Sequence, residues 1–192
     1  YIAGDRASAT GSQTTTPILI SPANGYNYTG TIVDITTGSY PSQSALMTTT
    51  GLWVWGSKGK LLPTALTTSD NFQQITIPAE IDPSQVKAID AGNSALGILM
   101  NSGELYVATT NNGADNGVGT TTKNATFTKV KVDATTPLTG ITDFQISQTG
   151  IFAYSQTNNK FYTWGTHTFL GNGTAKANRS YATEMTNPLP VG

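Results

Sequence analysis

A short aromatic pattern, fullest as Trp53-Val54-Trp55-Gly56, returns along this chain at nearly even intervals. Its other copies are Tyr1-Ile2-Ala3-Gly4, Tyr106-Val107-Ala108-Thr109 and Tyr162-Thr163-Trp164-Gly165, so the spacings are 52, 53 and 56 residues. A period of that length marks stacked structural units, and it outranks any local propensity in deciding the fold. Before each internal copy stands an apolar run and then a tight polar turn: Ala45-Leu46-Met47 before Thr49-Thr50-Gly51, Gly97-Ile98-Leu99-Met100 before Asn101-Ser102-Gly103, and Ile151-Phe152-Ala153-Tyr154 before Thr157-Asn158-Asn159. Such turns between apolar runs specify hairpins. Further upstream lies another short strand, Ile32-Ile35, Val86-Ile89 or Ile141-Phe144, and downstream an outer one, at Pro17-Ile20, Phe72-Ile77, Phe127-Val132 and Tyr181-Met185.

Each period therefore holds about four antiparallel strands, the content of one β-propeller blade. The predicted fold is all-β, with residues 1–31 an outer half-blade and residues 32–85, 86–140 and 141–192 three full blades. Helical patterning is nearly absent, and the only helical stretch worth naming, Pro83-Val86, is too short to matter. Three and a half blades do not close a ring, since propellers typically need four to eight. The expectation is that a missing segment or another chain completes it, and two copies would bring the total to seven blades.

The order apolar strand, Asn/Ser-Gly turn, aromatic-x-Trp-Gly, Gly-rich loop, outer strand resembles the repeat of the regulator-of-chromosome-condensation family of β-propellers. The fullest match runs from Ala91 to Val107, followed by Asn112-Gly113 and Gly117-Val118-Gly119-Thr120; a second joins Phe161-Gly165 to Leu170-Gly171-Asn172-Gly173-Thr174. The resemblance covers essentially the whole chain. It departs from the family at a repeated His of the apolar strand, replaced here by Ala95 and Ile151, which makes this a divergent member. The resemblance implies a propeller that binds proteins through loops on one face. The family's best-known activity, nucleotide exchange on a small GTPase, is not carried over, because no strongly charged face is evident.

Composition restricts the function further. Only 11% of residues are charged, about half the usual share, while Thr (34), Gly (20), Ser (14) and Asn (14) dominate. That surface chemistry suggests an exported, extracellular or cell-surface protein. Ten Lys+Arg against eleven Asp+Glu, without a basic cluster, give no footprint for nucleic acid. The absence of Cys removes disulfides, zinc-thiolate sites and thiol catalysis together. No segment approaches the twenty or so apolar residues of a spanning helix, so membrane insertion is not expected. Tyr1, neither Met nor part of a targeting stretch, reads as the start of a processed or trimmed chain.

Among single residues, Trp55 and Trp164 share one repeat position, which points to packing between blades. Tyr26, Tyr28 and Tyr40 lie in loops outside the repeated framework, flanked by Asn, Gly, Ser and Pro, where binding residues concentrate and where plain loop filler is also common. With Trp53 they form the predicted ligand-binding set, as stacking platforms for sugar or anchors for a protein. The lone His167 has no Ser-His-Asp setting, and the aligned Asp34 and Asp143 lack a partner in the second repeat that would make a glycosidase pair. No catalytic residue is expected. Asn111-Gly117 has the oxygens but not the alternating acids of a calcium loop, so no metal or cofactor is expected. Sequons stand at Asn27, Asn124, Asn172 and Asn178 as potential glycosylation sites.

These readings converge on a non-enzymatic extracellular structural, adhesive or protein-interaction module that self-assembles through its incomplete blade. Its expected partner is itself or another completing segment, and a surface glycan or protein beyond that. The alternative is a carbohydrate-binding or accessory propeller of a larger secreted enzyme.

Overall fold

The computed structural model describes residues 1–4, 12–38, 43–56, 69–110, 113–148, 150–171 and 173–186. These residues form one two-stranded and three four-stranded antiparallel sheets, each in simple up-and-down order. The half-blade pairs β1 (Ile2–Gly4) with β2 (Thr14–Ile18). The first full blade is β3 (Ile32–Thr37), β4 (Gln43–Thr48), β5 (Gly51–Gly56) and β6 (Ser69–Ile75). The second is β7 (Val86–Ala91), β8 (Ala95–Met100), β9 (Leu105–Thr109) and β10 (Thr128–Lys129). The third is β11 (Asp143–Ile146), β12 (Gly150–Ser155), β13 (Lys160–Thr168) and β14 (Ala177–Glu184). The expected all-β propeller architecture, three full blades and an outer half-blade, is the one observed.

The outer strands differ in extent from their sequence expectation. In the half-blade the paired segment is Thr14–Ile18, so Ile20 falls beyond it, and in the second blade the ladder is Thr128–Lys129, with the Val130 N–H on Leu105 O (2.9 Å) at its end. The residues that mark these strands in the sequence, Ile20 and Val130, are instead buried plugs between blades. The Pro83–Gln85 stretch is a single 3-10 turn, closed by the Asp82 carboxylate accepting the Ser84 N–H.

Blades pack face to face through three apolar clusters. Ala45, Met47, Leu52 and Val54 of the first blade meet Ile89, Leu96, Ile98 and Tyr106 of the second. Leu99, Leu105 and Val107 of the second meet Phe144, Ile151, Ala153 and Trp164 of the third. Leu46, Trp55 and Phe72 of the first pack on Ile20, Tyr26 and partly buried Ile2 and Ile18. Trp164 is fully buried and donates its Nε1–H to Asp115 O (3.0 Å), and Trp55 stands edge-on to Phe72 at 4.2 Å. Their shared repeat position is thus a packing position.

The innermost strands are joined by carboxylates instead of a main-chain ladder. The Ile89 N–H donates to Asp34 Oδ2 (2.9 Å), and the Ile146 N–H to Asp90 Oδ2 (2.6 Å). In both cases the strand register places the donor one position beyond the equivalent of the acid. Each Asp thereby satisfies a main-chain donor of the next blade that no strand neighbour reaches.

A candidate binding groove beside the half-blade

The groove is built by the connection from β2 to β3. After Ile20 the chain makes a 3-10 turn, Pro22–Asn24, which Gly25 ends at φ +85 with its N–H on Pro22 O. Pro at the first helical position and Gly at the left-handed stop suit this short turn. The Asn24 side chain donates to Leu19 O (2.8 Å), tying the turn to its own entry. Asn71, far away in sequence on β6, anchors the exit: its Nδ2 donates to Gly25 O (2.7 Å) and its Oδ1 accepts the Asn27 N–H (2.8 Å). One side-chain amide thus imitates a strand neighbour for the loop.

This anchoring brings three of the four expected ligand residues together. Tyr26, Tyr28 and Trp53, with Pro22, Gly25, Asn27 and Thr29, line one shallow groove of about 380 Å³. The fourth, Tyr40, lies outside the described residues. Tyr26 departs from the exposed-loop expectation, being 5% exposed and packed at 6.0 Å from the Phe72 ring. Burial pushes its hydroxyl pKa up, because the phenolate would lose hydration there. Tyr28 is half-buried, stands edge-on to Phe72 at 5.9 Å, and donates its hydroxyl to Ile20 O (3.2 Å). Trp53 is half-buried and donates its Nε1–H to Thr48 Oγ1 (3.2 Å). With those polar tips engaged internally, the half-buried rings of Tyr28 and Trp53 offer chiefly apolar surface to a ligand. Phe72, which packs against both tyrosines, shows in the sequence only as an outer-strand residue.

The remaining expected sites fall as follows. Asn27 and Asn178 are exposed, and Asn178 Oδ1 accepts the His167 N–H (3.2 Å). Asn124 is half-buried and caps its own turn, its Oδ1 accepting the Thr126 N–H (3.0 Å). Asn172 lies outside the described residues. His167 is exposed at a left-handed φ of +62, and among the described residues no hydrogen bond links its ring to an acid or a hydroxyl. In the Asn/Gly-rich loop, Asp115 Oδ1 accepts the Thr166 N–H (3.3 Å) while Asn116 donates to Thr120 Oγ1 and Thr122 O. Burial raises the Asp115 pKa, an effect the Thr166 bond opposes. These oxygens close a turn between blades. Among the described residues no group of three His, Cys, Asp or Glu is placed to hold a metal.

No protein-family model and no curated protein matches the sequence. Solved structures do match. Human WBSCR16 superposes with a TM-score of 0.70 at 16% identity, over 96% of this chain and 46% of that one. Yeast RCC1 (Prp20), in its complex with Kap60, gives 0.62 at 18% identity over 80% of this chain and 36% of that one. Prp20p from Saccharomyces cerevisiae, studied with its binding to Gsp1p and histones, gives 0.62 at 18% identity, over 80% and 38%. The chain thus spans less than half the length of each. Identity this low carries the fold alone, and the blade order, the inter-blade packing and these superpositions agree on it: the chain folds as a divergent RCC1-like β-propeller.

Proposed function

We propose that this chain is a non-enzymatic protein-interaction module of an extracellular or cell-surface protein, structural or adhesive in role, which engages its partner by accepting β-strands at the half-blade. The observation that carries the reading is the exposed apolar wall beside β1. In every full blade the third strand has neighbours on both sides, whereas β1, among the described residues, pairs with β2 alone. Over that place Ile35 is 43% exposed, while its repeat equivalents Ile89 and Phe144 are 5% and 6% exposed. The resulting cleft, about 500 Å³, is lined by Ile2, Ile20, Ile35, Thr36, Trp55 and Asp90 among others. An open edge beside apolar wall suits strand addition. The neighbours in fold support a protein partner, since Prp20 is seen bound to Kap60 and is described with binding to Gsp1p and histones. The Thr-, Ser- and Asn-rich composition supports an external location.

Light scattering with hydrogen exchange tests this. Particles heavier than one 20.1 kDa chain, reverting to single chains in Ile35→Asp, are expected if copies supply the strands. A single chain whose Ile2–Gly4 amides exchange freely, and become protected when a longer form of the protein is used, fits a completing segment. A monodisperse monomer with those amides already protected overturns the reading.

The groove favours a second reading, carbohydrate binding by an accessory propeller. Retention on immobilised polysaccharide that Tyr28→Ala or Trp53→Ala abolishes, without lowering the unfolding midpoint, would establish it. Tyr26→Ala is unsuitable, because its loss empties core volume.

A further inference from the structure

Three consecutive residues of the groove wall, Asn27, Tyr28 and Thr29, spell one Asn-x-Thr sequon. Asn27 is exposed, and its contact with Asn71 uses the main-chain N–H, which leaves the side-chain amide without a hydrogen bond among the described residues. The other two sequons within the described residues differ. Asn124 has both ends of its amide engaged in its own turn, Oδ1 by the Thr126 N–H (3.0 Å) and Nδ2 by Thr128 Oγ1 (3.4 Å). Asn178 is exposed on β14, outside the groove. The Asn27 sequon is also tied to the aromatic wall. Thr50 Oγ1 donates to Thr29 O (2.8 Å), and a run of hydroxyls passes from Thr29 to Thr50 (2.9 Å) and on to Thr48 (3.1 Å), where it meets the Trp53 Nε1–H. With Asn71 fixing the Asn27 N–H, both ends of the sequon are held by the first blade, which also supplies Trp53.

We infer that Asn27 carries an N-linked glycan whose first sugar lies in this groove against the rings of Tyr28 and Trp53. The occupant is a neutral pyranose. No lining residue bears a charge at neutral pH, and the electron-rich face of an aromatic ring attracts the polarised C–H face of such a sugar. The tether favours this sugar over a free polysaccharide. A group linked to Asn27 meets the groove at an effective concentration in about the millimolar range, so stacking too weak to capture a free chain suffices to seat it. Attachment forms a bond from Asn27 Nδ2 to the anomeric carbon of a sugar carried on a lipid diphosphate. The bond from that carbon to the diphosphate oxygen breaks, the lipid diphosphate leaves with the electron pair, and the amide releases one proton. The inference rests on the external location proposed above, because this modification belongs to exported chains. It leaves the strand-accepting reading of β1 untouched and closes the groove to the polysaccharide of the second reading.

Peptide mass mapping of the chain isolated from its source cells should find a glycan on Asn27. A chain found outside the cell with Asn27 bare overturns the inference alone, and a chain found inside overturns it together with the external location. The seat is tested on chain secreted by a cell that glycosylates such sequons and trimmed enzymatically to a single N-acetylglucosamine at each occupied site. The Asn27 sugar should raise the unfolding midpoint by about 2–4 °C over Asn27→Gln. That gain should vanish when both proteins also carry Tyr28→Ala and Trp53→Ala, a comparison in which the lost packing cancels. An equal gain from the Asn178 sugar, measured against Asn178→Gln, would mark an effect of glycosylation in general and overturn the seat. Proton NMR of the trimmed protein needs no variant, and it should show nuclear Overhauser contacts from the sugar to the rings of Tyr28 and Trp53. A mobile sugar without those contacts, or a gain that survives the loss of both rings, overturns the inference.

Discussion

Removing the Asp34 carboxylate leaves the Ile89 N–H, at a residue 5% exposed, without its acceptor. An orphaned buried donor costs about 1–3 kcal/mol. Asp34→Ala should therefore lower stability by that order in urea titration, whereas Asp143→Ala, which loses only the bond within its own strand, should cost well under half as much. Equal losses would mean that the inter-blade bond contributes nothing. The sequence shows Asp34 and Asp143 recurring but cannot show this role, because their partners are main-chain groups, which leave no trace in residue identity. Asp90 escaped the alignment for a related reason: it performs the same contact two positions further along its strand. Tyr26 reads as an exposed loop residue from its Asn and Gly neighbours, because what buries it, Phe72 and the Asn71 anchor, lies over forty residues away in sequence.

At the scale of elements, the Gly that closes the aromatic pattern has a backbone cause. In the first and third blades the pairing between third and fourth strands slips at this point, between Val54 and Gly56 and between Thr163 and Gly165. Gly56 and Gly165 sit there at φ +107 and +118, a region that glycine adopts without the Cβ clash. The half-blade slips at the same place, between Ile2 and Gly4. The second blade has Thr109 instead; its ladder ends at Val107, and the Thr109 N–H donates to Asn124 O (2.7 Å) in the following loop. The repeated glycine therefore sits at a bulge in the outer pairing, legible in the sequence as a motif but not as a reason. Gly165→Ala should cost about 1–3 kcal/mol. Exchange protection should fall beyond the bulge, at the pairing of Thr168 with Ala177, before it falls at the pairing of Tyr162 with Glu184. A uniform loss along β13 would contradict the bulge as a local device. Strand order is readable because apolar runs and turns alternate strictly, but outer-strand limits are not, since the buried plugs Ile20 and Val130 carry the apolar signal beyond the last residues of the ladders.

At the scale of the whole molecule, the described sheets pack each against its neighbours in the chain, so stability is close to a sum of blade and interface contributions. The second blade has an apolar interface on both faces, and β8 and β9 are buried at every position. Among the described residues, β1 pairs on one side only, and Phe152 is 43% exposed. Native-state hydrogen exchange should accordingly be slowest in β8 and β9, faster in β11 and β12, and fastest in β1 and β2, whose opening breaks the fewest contacts. Equal protection throughout would mean that the row unfolds as one cooperative unit and that its open ends carry no deficit. The gradient also bears on function, because a ligand that binds only the folded ends raises their stability by its own binding free energy. Strands added at β1 would slow exchange at that end alone. A titration that flattens the gradient from one side thereby identifies which end its ligand occupies.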